Sequence, residues 1–207
     1  MVQTSKLTRR ESAELTRRRL VEGAIAILRR EGVAAATTGR IAHAAGLKQP
    51  SFYAHFADRD AILHAAATEI ARRVLGRLQR EITKFDPANV RGSVRGAYAA
   101  LIAAFLSEPE LTRIFLRHRA DDGTVLGRVF RGMLDRARAD LLESLPRYGL
   151  HVGREKAESY VELQVASVLG TLEGLLDGRL RDRDAAVDAL AATTIAVLRS
   201  LNDERRR

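Results

Sequence analysis

Apolar positions recur every three or four residues along nearly the whole chain. That is the period of a helix with one face turned to a core. No stretch shows the sustained alternation of a half-buried strand. Leu20, Ala24, Ile27 and Leu28 share one face of a first helix over about 14–30. Glu31-Gly32 stops it, glycine being common just past a helix end. A long helix is expected from Asp58, a capping residue, to about Phe85, where Asp86-Pro87 breaks it. Val94, Ala97, Tyr98, Leu101, Ile102 and Phe105 stripe the next, over about 89–107. Glu108-Pro109 opens a short helix holding Leu111, Ile114 and Phe115. After the turn Asp121-Asp122-Gly123, Val125, Val129, Met133, Ala137 and Leu141 repeat at spacing four, and Leu126, Phe130 and Leu134 widen that face. Residues 146–153 read as a loop, and two long helices, about 154–177 and 184–202, close the chain. The expectation is an all-α protein of about nine helices, preceded by a polar, basic arm over 1–13 that carries Lys6, Arg9 and Arg10.

The stretch 37–56 is the most specific. It reads as two short helices joined by a glycine turn. Thr37 or Thr38 can cap the first, and Ile41, Ala42 and Ala45 form its inner face. Gly46 supplies the turn, where a positive φ is expected, with Leu47 beneath it. Pro50 suits the first turn of the second helix, where its missing N–H is harmless. Phe52 and Phe56, four apart, should both point inward. Gln49, Ser51, Tyr53 and His55 then keep polar groups for the outside. This is the pattern of a helix-turn-helix, which lays its second helix in the major groove of DNA.

The side chains suit that partner. Glutamine pairs bidentately with adenine, and Ser51 can reach bases or phosphates. Thr38, Tyr53 and His55 can donate to phosphate oxygens. Arg40 and Lys48 add positive charge, and Arg59 can join the N-terminal amides of the long helix in holding a phosphate. Each residue taken alone has a plainer role. Tyr53 and His55 could pack beside the aromatic core, Arg40 and Lys48 could be solvated, and Gln49-Pro50 is an ordinary helix start. The combination at this spacing points to DNA.

Composition narrows the classes. The chain has 207 residues and a formal charge of +9, a balance that favours polyanionic partners. It has no cysteine, which excludes disulfides and thiolate metal sites. His43, His55, His64, His118 and His151 are scattered without paired ligands, so no metal and no cofactor is expected. The first residues are polar rather than a signal sequence, and no apolar run is long enough for a bilayer. A cytoplasmic location without a membrane partner follows as an expectation.

Residues from about 14 to 63 resemble the N-terminal domain of the TetR family of transcriptional regulators. The resemblance rests on Thr38-Gly39-Arg40-Ile41-Ala42, on Ala45-Gly46-Leu47, on Phe52-Tyr53-Ala54-His55-Phe56, and on Asp58-Arg59-Asp60-Ala61-Ile62-Leu63. Arg59 stands where the family usually has a lysine. The resemblance implies that Thr38, Gln49, Pro50, Ser51, Tyr53, His55 and Arg59 contact DNA. Gly39 stands where some relatives carry a base-reading side chain. A glycine reads no base, so the operator does not carry over by analogy.

The same resemblance implies a DNA-binding head over 14–60. It also implies a body over 61–207 that binds a small molecule and dimerises through the last two long helices. In that body, Ala166, Gly170 and Gly174 lie four apart, and Ala192, Ala196 and Ser200 answer them. Such small-residue faces let helices approach closely, in a homodimer or within one chain. Tyr98, Phe105, Phe115, His118, Phe130, Met133 and Leu134 are candidate pocket liners, and the few polar residues among them favour a small hydrophobic or aromatic effector. The expected function is a dimeric, ligand-responsive regulator, a repressor by the family's default, that binds palindromic double-stranded operator DNA and leaves it when the effector binds. An all-α enzyme is the rival from another class. It needs a convergent acid–base or nucleophile set, whereas the carboxylates here lie mostly beside arginines on polar faces. An architectural DNA-binding protein without an effector is the other, and the large apolar body argues against it.

Overall fold

A computed structural model describes residues 8–82, 86–148 and 152–204. The expected arm's residues 1–7, Phe85 and His151 lie outside the described residues. Nine α-helices and no strand are found among those described. They are α1 (Arg9–Glu31), α2 (Thr38–Ala44), α3 (Gln49–Tyr53), α4 (Arg59–Ile82), α5 (Val90–Leu106), α6 (Pro109–His118), α7 (Val125–Ser144), α8 (Arg154–Leu176) and α9 (Arg183–Glu204). Single 3-10 turns, Pro87–Asn89 and Leu145–Tyr148, precede α5 and follow α7. The second of these lies in the segment expected to be loop. No described helix is long and apolar enough to cross a membrane.

The first helix starts earlier than its apolar period announces, so residues 9–13 of the expected arm are helical. Thr8 and Glu11 form a reciprocal capping box. The Glu11 amide donates to Thr8 Oγ1 at 3.2 Å, and the Thr8 amide donates to Glu11 Oε2 at 2.7 Å. Two otherwise unpaired amides are thereby satisfied. Nearly every residue from Arg9 to Arg19 is exposed, so this part of α1 has no buried face for periodicity to reveal. Leu28 accepts from the Gly32 amide at the other end, where φ is 82°.

Two apolar cores meet along α4. Leu20, Ala24, Leu28, Ile41, Phe52, Phe56, Ile62 and Leu63 pack together in the head. Ala67, Ala71, Ile102, Phe105, Phe115, Leu126, Phe130, Leu172 and Val187 pack together in the body. Ala66 belongs to the first core and Ala67 to the second, so successive faces of one helix tie head to body. Leu111 of α6 is also buried in the head's core. The boundary expected at residue 60 thus falls inside a continuous element. Each fully buried Leu, Ile or Phe here contributes about 1.5–3 kcal/mol relative to exposure. A third cluster, Leu145, Tyr160, Val161 and Leu198, closes the far end.

Candidate nucleic-acid interface and candidate ligand cavity

Local sequence sets the helix-turn-helix. Thr37 caps α2, its Oγ1 accepting from the Arg40 amide at 3.4 Å. Gly46 turns the chain at φ 68°, and the Leu47 amide then donates to Ala42 O at 2.9 Å. Lys48 precedes α3 as its cap position, and Pro50 lies in the first turn. Phe52 and Phe56 are both buried, with ring centroids 5.8 Å apart. They anchor a five-residue helix too short to be stable alone.

Three residues of α1 brace this unit without having been singled out from the sequence. Arg17 stacks its guanidinium 4.1 Å from the Phe56 ring centroid and donates to His55 O at 3.0 Å. Arg19 donates to Ala45 O at 2.6 Å. Gly23 lets α1 cross α2 backbone to backbone, since a Cβ there would stand 3.1 Å from Ile41 O. The run Arg17-Arg18-Arg19 is plain charge in the sequence, but the partners of Arg17 and Arg19 lie 38 and 26 residues away.

A polar cluster covers the outer face. Gln49 Nε2 donates to Thr38 Oγ1 at 3.3 Å, and the Tyr53 hydroxyl lies 3.5 Å from the same oxygen. Tyr53 is 54 % exposed and sets its ring edge-on to buried Phe52, 5.3 Å between centroids. Gly39 matters here in an unexpected way, because the Gln49 amide lies over it, 3.5 Å from where a Cβ would be. Lys48, Pro50 and Ser51 are exposed beside the cluster, and His55 is half-buried. Arg40 is exposed but ion-paired with Glu31, which reduces its free charge.

Arg59, expected to hold a phosphate, has partners within the chain. Its Nε donates to Ala36 O at 2.9 Å and its Nη2 to Val33 O at 2.7 Å. Two guanidinium nitrogens therefore tie the start of α4 to the α1–α2 connection. Val33 O also accepts from the Ala36 amide at 3.2 Å, so the guanidinium adds a second bond to a loop that already turns on itself. Asp58 does cap α4 as expected, accepting from the Ala61 amide at 2.8 Å.

Below the head, a cavity of about 140 Å3 opens between α1, α4, α5, α6 and α7. Of the candidate pocket liners, Phe105, Phe115, Phe130 and Met133 line it. Tyr98, His118 and Leu134 do not. The Tyr98 hydroxyl instead donates to Gln164 Oε1 at 2.6 Å and lies 2.8 Å from Thr194 Oγ1, in a buried polar knot joining α5, α8 and α9. His118 sits half-buried at the end of α6, and Leu134 packs half-buried in the body core. The walls that sequence reasoning missed come from α1 and α4, as Ile25, Ile70 and Arg73. Arg73 pairs with Glu22 of α1 and with Glu69. Arg72 and then Arg73 hold the Glu69 carboxyl down to about 2, well below its ordinary value.

On α8 and α9, Ala166, Gly170, Ala192, Ala196 and Ser200 are exposed. Leu163, one turn before Ala166, is 63 % exposed, a large apolar side chain left in water. Gly174 departs from this set. It is buried, and a Cβ on it would meet the Leu180 side chain at 2.9 Å. The chain's own α8–α9 connection therefore covers it within the single chain.

Residues 20–66 match the family model described as "Bacterial regulatory proteins, tetR family". No curated protein matches the chain. Several solved structures share the fold over nearly its whole length. A protein of Pseudomonas aeruginosa PAO1 is 20 % identical with a TM-score of 0.75, the match covering 100 % of this chain and 99 % of that one. A candidate TetR-family transcriptional regulator from Mesorhizobium loti MAFF303099 is 18 % identical with a TM-score of 0.72, covering 94 % and 98 %. A transcriptional regulator from Rhodococcus sp. Rha1 is 21 % identical with a TM-score of 0.68, covering 87 % and 96 %.

Proposed function

We infer, from this chain's membership of the TetR family of DNA-binding transcriptional regulators, that it acts as a homodimeric repressor in the cytoplasm, occupying a palindromic operator until a small apolar ligand enters its body. The observation that carries the reading is the exposed Thr38–Gln49–Tyr53 cluster seated on buried Phe52 and Phe56. Those anchors hold α3 rigid, so Gln49 and Ser51 meet base edges while Thr38, Lys48, Tyr53 and His55 meet phosphates. Pro50 preorganises the helix start. Arg40 contributes once its pair with Glu31 yields to a phosphate.

Dimerisation through the faces of α8 and α9 that carry Leu163, Ala166, Gly170, Ala192, Ala196 and Ser200 sets two heads about 34 Å apart, one turn of DNA. An apolar ligand among Phe105, Phe115, Phe130 and Met133 shifts the population toward a spacing that no longer fits the operator. It can do so only by binding that state more tightly than the DNA-bound one.

The test uses a palindrome selected by the protein from random duplexes. Gln49→Ala and Tyr53→Ala should each weaken binding by roughly thirtyfold or more, as expected for a contact of about 1–3 kcal/mol lost in each of two half-sites. Their melting temperatures should match the parent's. Parent-like affinity in both variants would remove α3 from the interface.

A further inference from the structure

The size and walls of the 140 Å3 cavity restrict what can occupy it. An apolar cavity of roughly 150 Å3 walled by Leu, Ile and Phe stays dry and takes up one benzene. The cavity here opens to solvent on one side, and its inner walls, Phe105, Phe115, Phe130, Met133 and Leu111, are of the same kind. Phe115 stands between two other phenyls, 5.4 Å from Phe105 and 5.3 Å from Phe130, the latter pair edge-on. These are favourable aromatic spacings, so the three rings form one cluster along the cavity wall. The hydroxyls in the wall are turned to backbone. Thr112 Oγ1 donates to Phe105 O at 2.6 Å, and Ser107 Oγ donates to Ala104 O at 2.8 Å. The charged lining groups, Arg73 and Glu108, are both around two-fifths exposed and so lie at the solvent edge.

We propose that this cavity binds a single-ring aromatic compound, its ring among Phe105, Phe115 and Phe130 and any polar substituent at the Arg73–Glu108 edge. The proposal rests on the effector reading above and supplies the chemical class. One ring fills the inner part of the cavity, and a second would have to reach past its open edge. The site also touches the DNA-binding head directly, since Ile25 of α1 and Leu111 of the head's core form part of its wall.

Titration calorimetry of the full chain without DNA, with phenol and 2-naphthol as matched probes, tests it. Phenol should bind with one site per chain, and 2-naphthol at least tenfold more weakly. Ala104→Leu, which places three more carbons in the wall, should weaken phenol at least tenfold. Met133→Ala, which enlarges the cavity, should bring 2-naphthol to within about threefold of phenol and guards against a folding defect in the first variant. Equal binding of both probes to the parent, or unchanged phenol binding in Ala104→Leu, overturns the proposal. Release of operator DNA by larger apolar compounds, with no single-ring binding, would overturn the ring-size inference and leave the effector reading standing. Phenol binding in this cavity while no apolar compound alters operator affinity would do the reverse.

Discussion

Arg59 offers a sharp test because its two candidate roles predict opposite results. As a clamp, it makes two charged hydrogen bonds, to Ala36 O at 2.9 Å and Val33 O at 2.7 Å. Hydrogen bonds from charged donors contribute about 1.5–3 kcal/mol each, and partial exposure places these toward the lower end. Arg59→Gln should therefore cost about 2–4 kcal/mol. Arg59→Lys keeps the charge but not the fork, and should lose roughly half of that. For a chain of this size each kcal/mol lowers the melting temperature by about 2–4 °C. Thermal unfolding should rank the parent above Arg59→Lys and Arg59→Gln lowest. The slope of log affinity for operator DNA against log salt should stay the same in all three. A phosphate ligand behaves otherwise. Removing it from both heads of a dimer would flatten that slope by about 1.8, leave the melting temperature nearly unchanged, and make Arg59→Lys resemble the parent. That pattern would refute the clamp.

Gly127→Ala should lower stability by about 2–4 kcal/mol, because its Cβ would overlap the Asp121 carbonyl oxygen and lie 2.8 Å from His118 O, where only backbone could move aside. Chemical denaturation measures this, and a loss below the effect of a surface substitution would refute the close packing. Glu69 is held down to about 2 by Arg72 and Arg73, so its ion pairs stabilise the fold above the ordinary carboxylate value of 4.5, and that contribution fades as pH falls through 4.5 toward 2. The melting-temperature gap between the parent and Glu69→Gln should shrink over that window; a constant gap would show that the pairs add nothing. Leu163→Asp should leave the monomer fold intact and give monomers in sedimentation at micromolar concentration, since Leu163 is already 63 % exposed in the single chain. An unchanged dimer would move the interface off this face.

Much of the fold was legible because its signals are local. A helical face repeats within four residues, and a cap, a glycine turn or a proline start acts within three. Phe52 and Phe56 were placed inward from their spacing alone, and Gly46 from the turn's need for a positive φ. The N-terminal half of α1 escaped because an exposed helix has no apolar stripe, although Thr8 and Glu11 carried its cap. The candidate site was legible in residue types more than in roles. Thr38, Gln49 and Tyr53 do converge, but the lodging of Gln49 over Gly39 depends on how α2 meets α3.

The sequence by itself determined the helices, the turn chemistry of the head and the residues that could face DNA, because those rest on interactions between near neighbours. Tertiary structure decided that Arg59 bonds Val33 O and Ala36 O, that Leu180 covers Gly174, and that Ile25 of α1 joins a cavity expected in the body alone. The physical reason is separation along the chain. Arg29 meets Glu108 across 79 residues, and Tyr98 meets Thr194 across 96. Only the packing of whole helices brings such partners within reach.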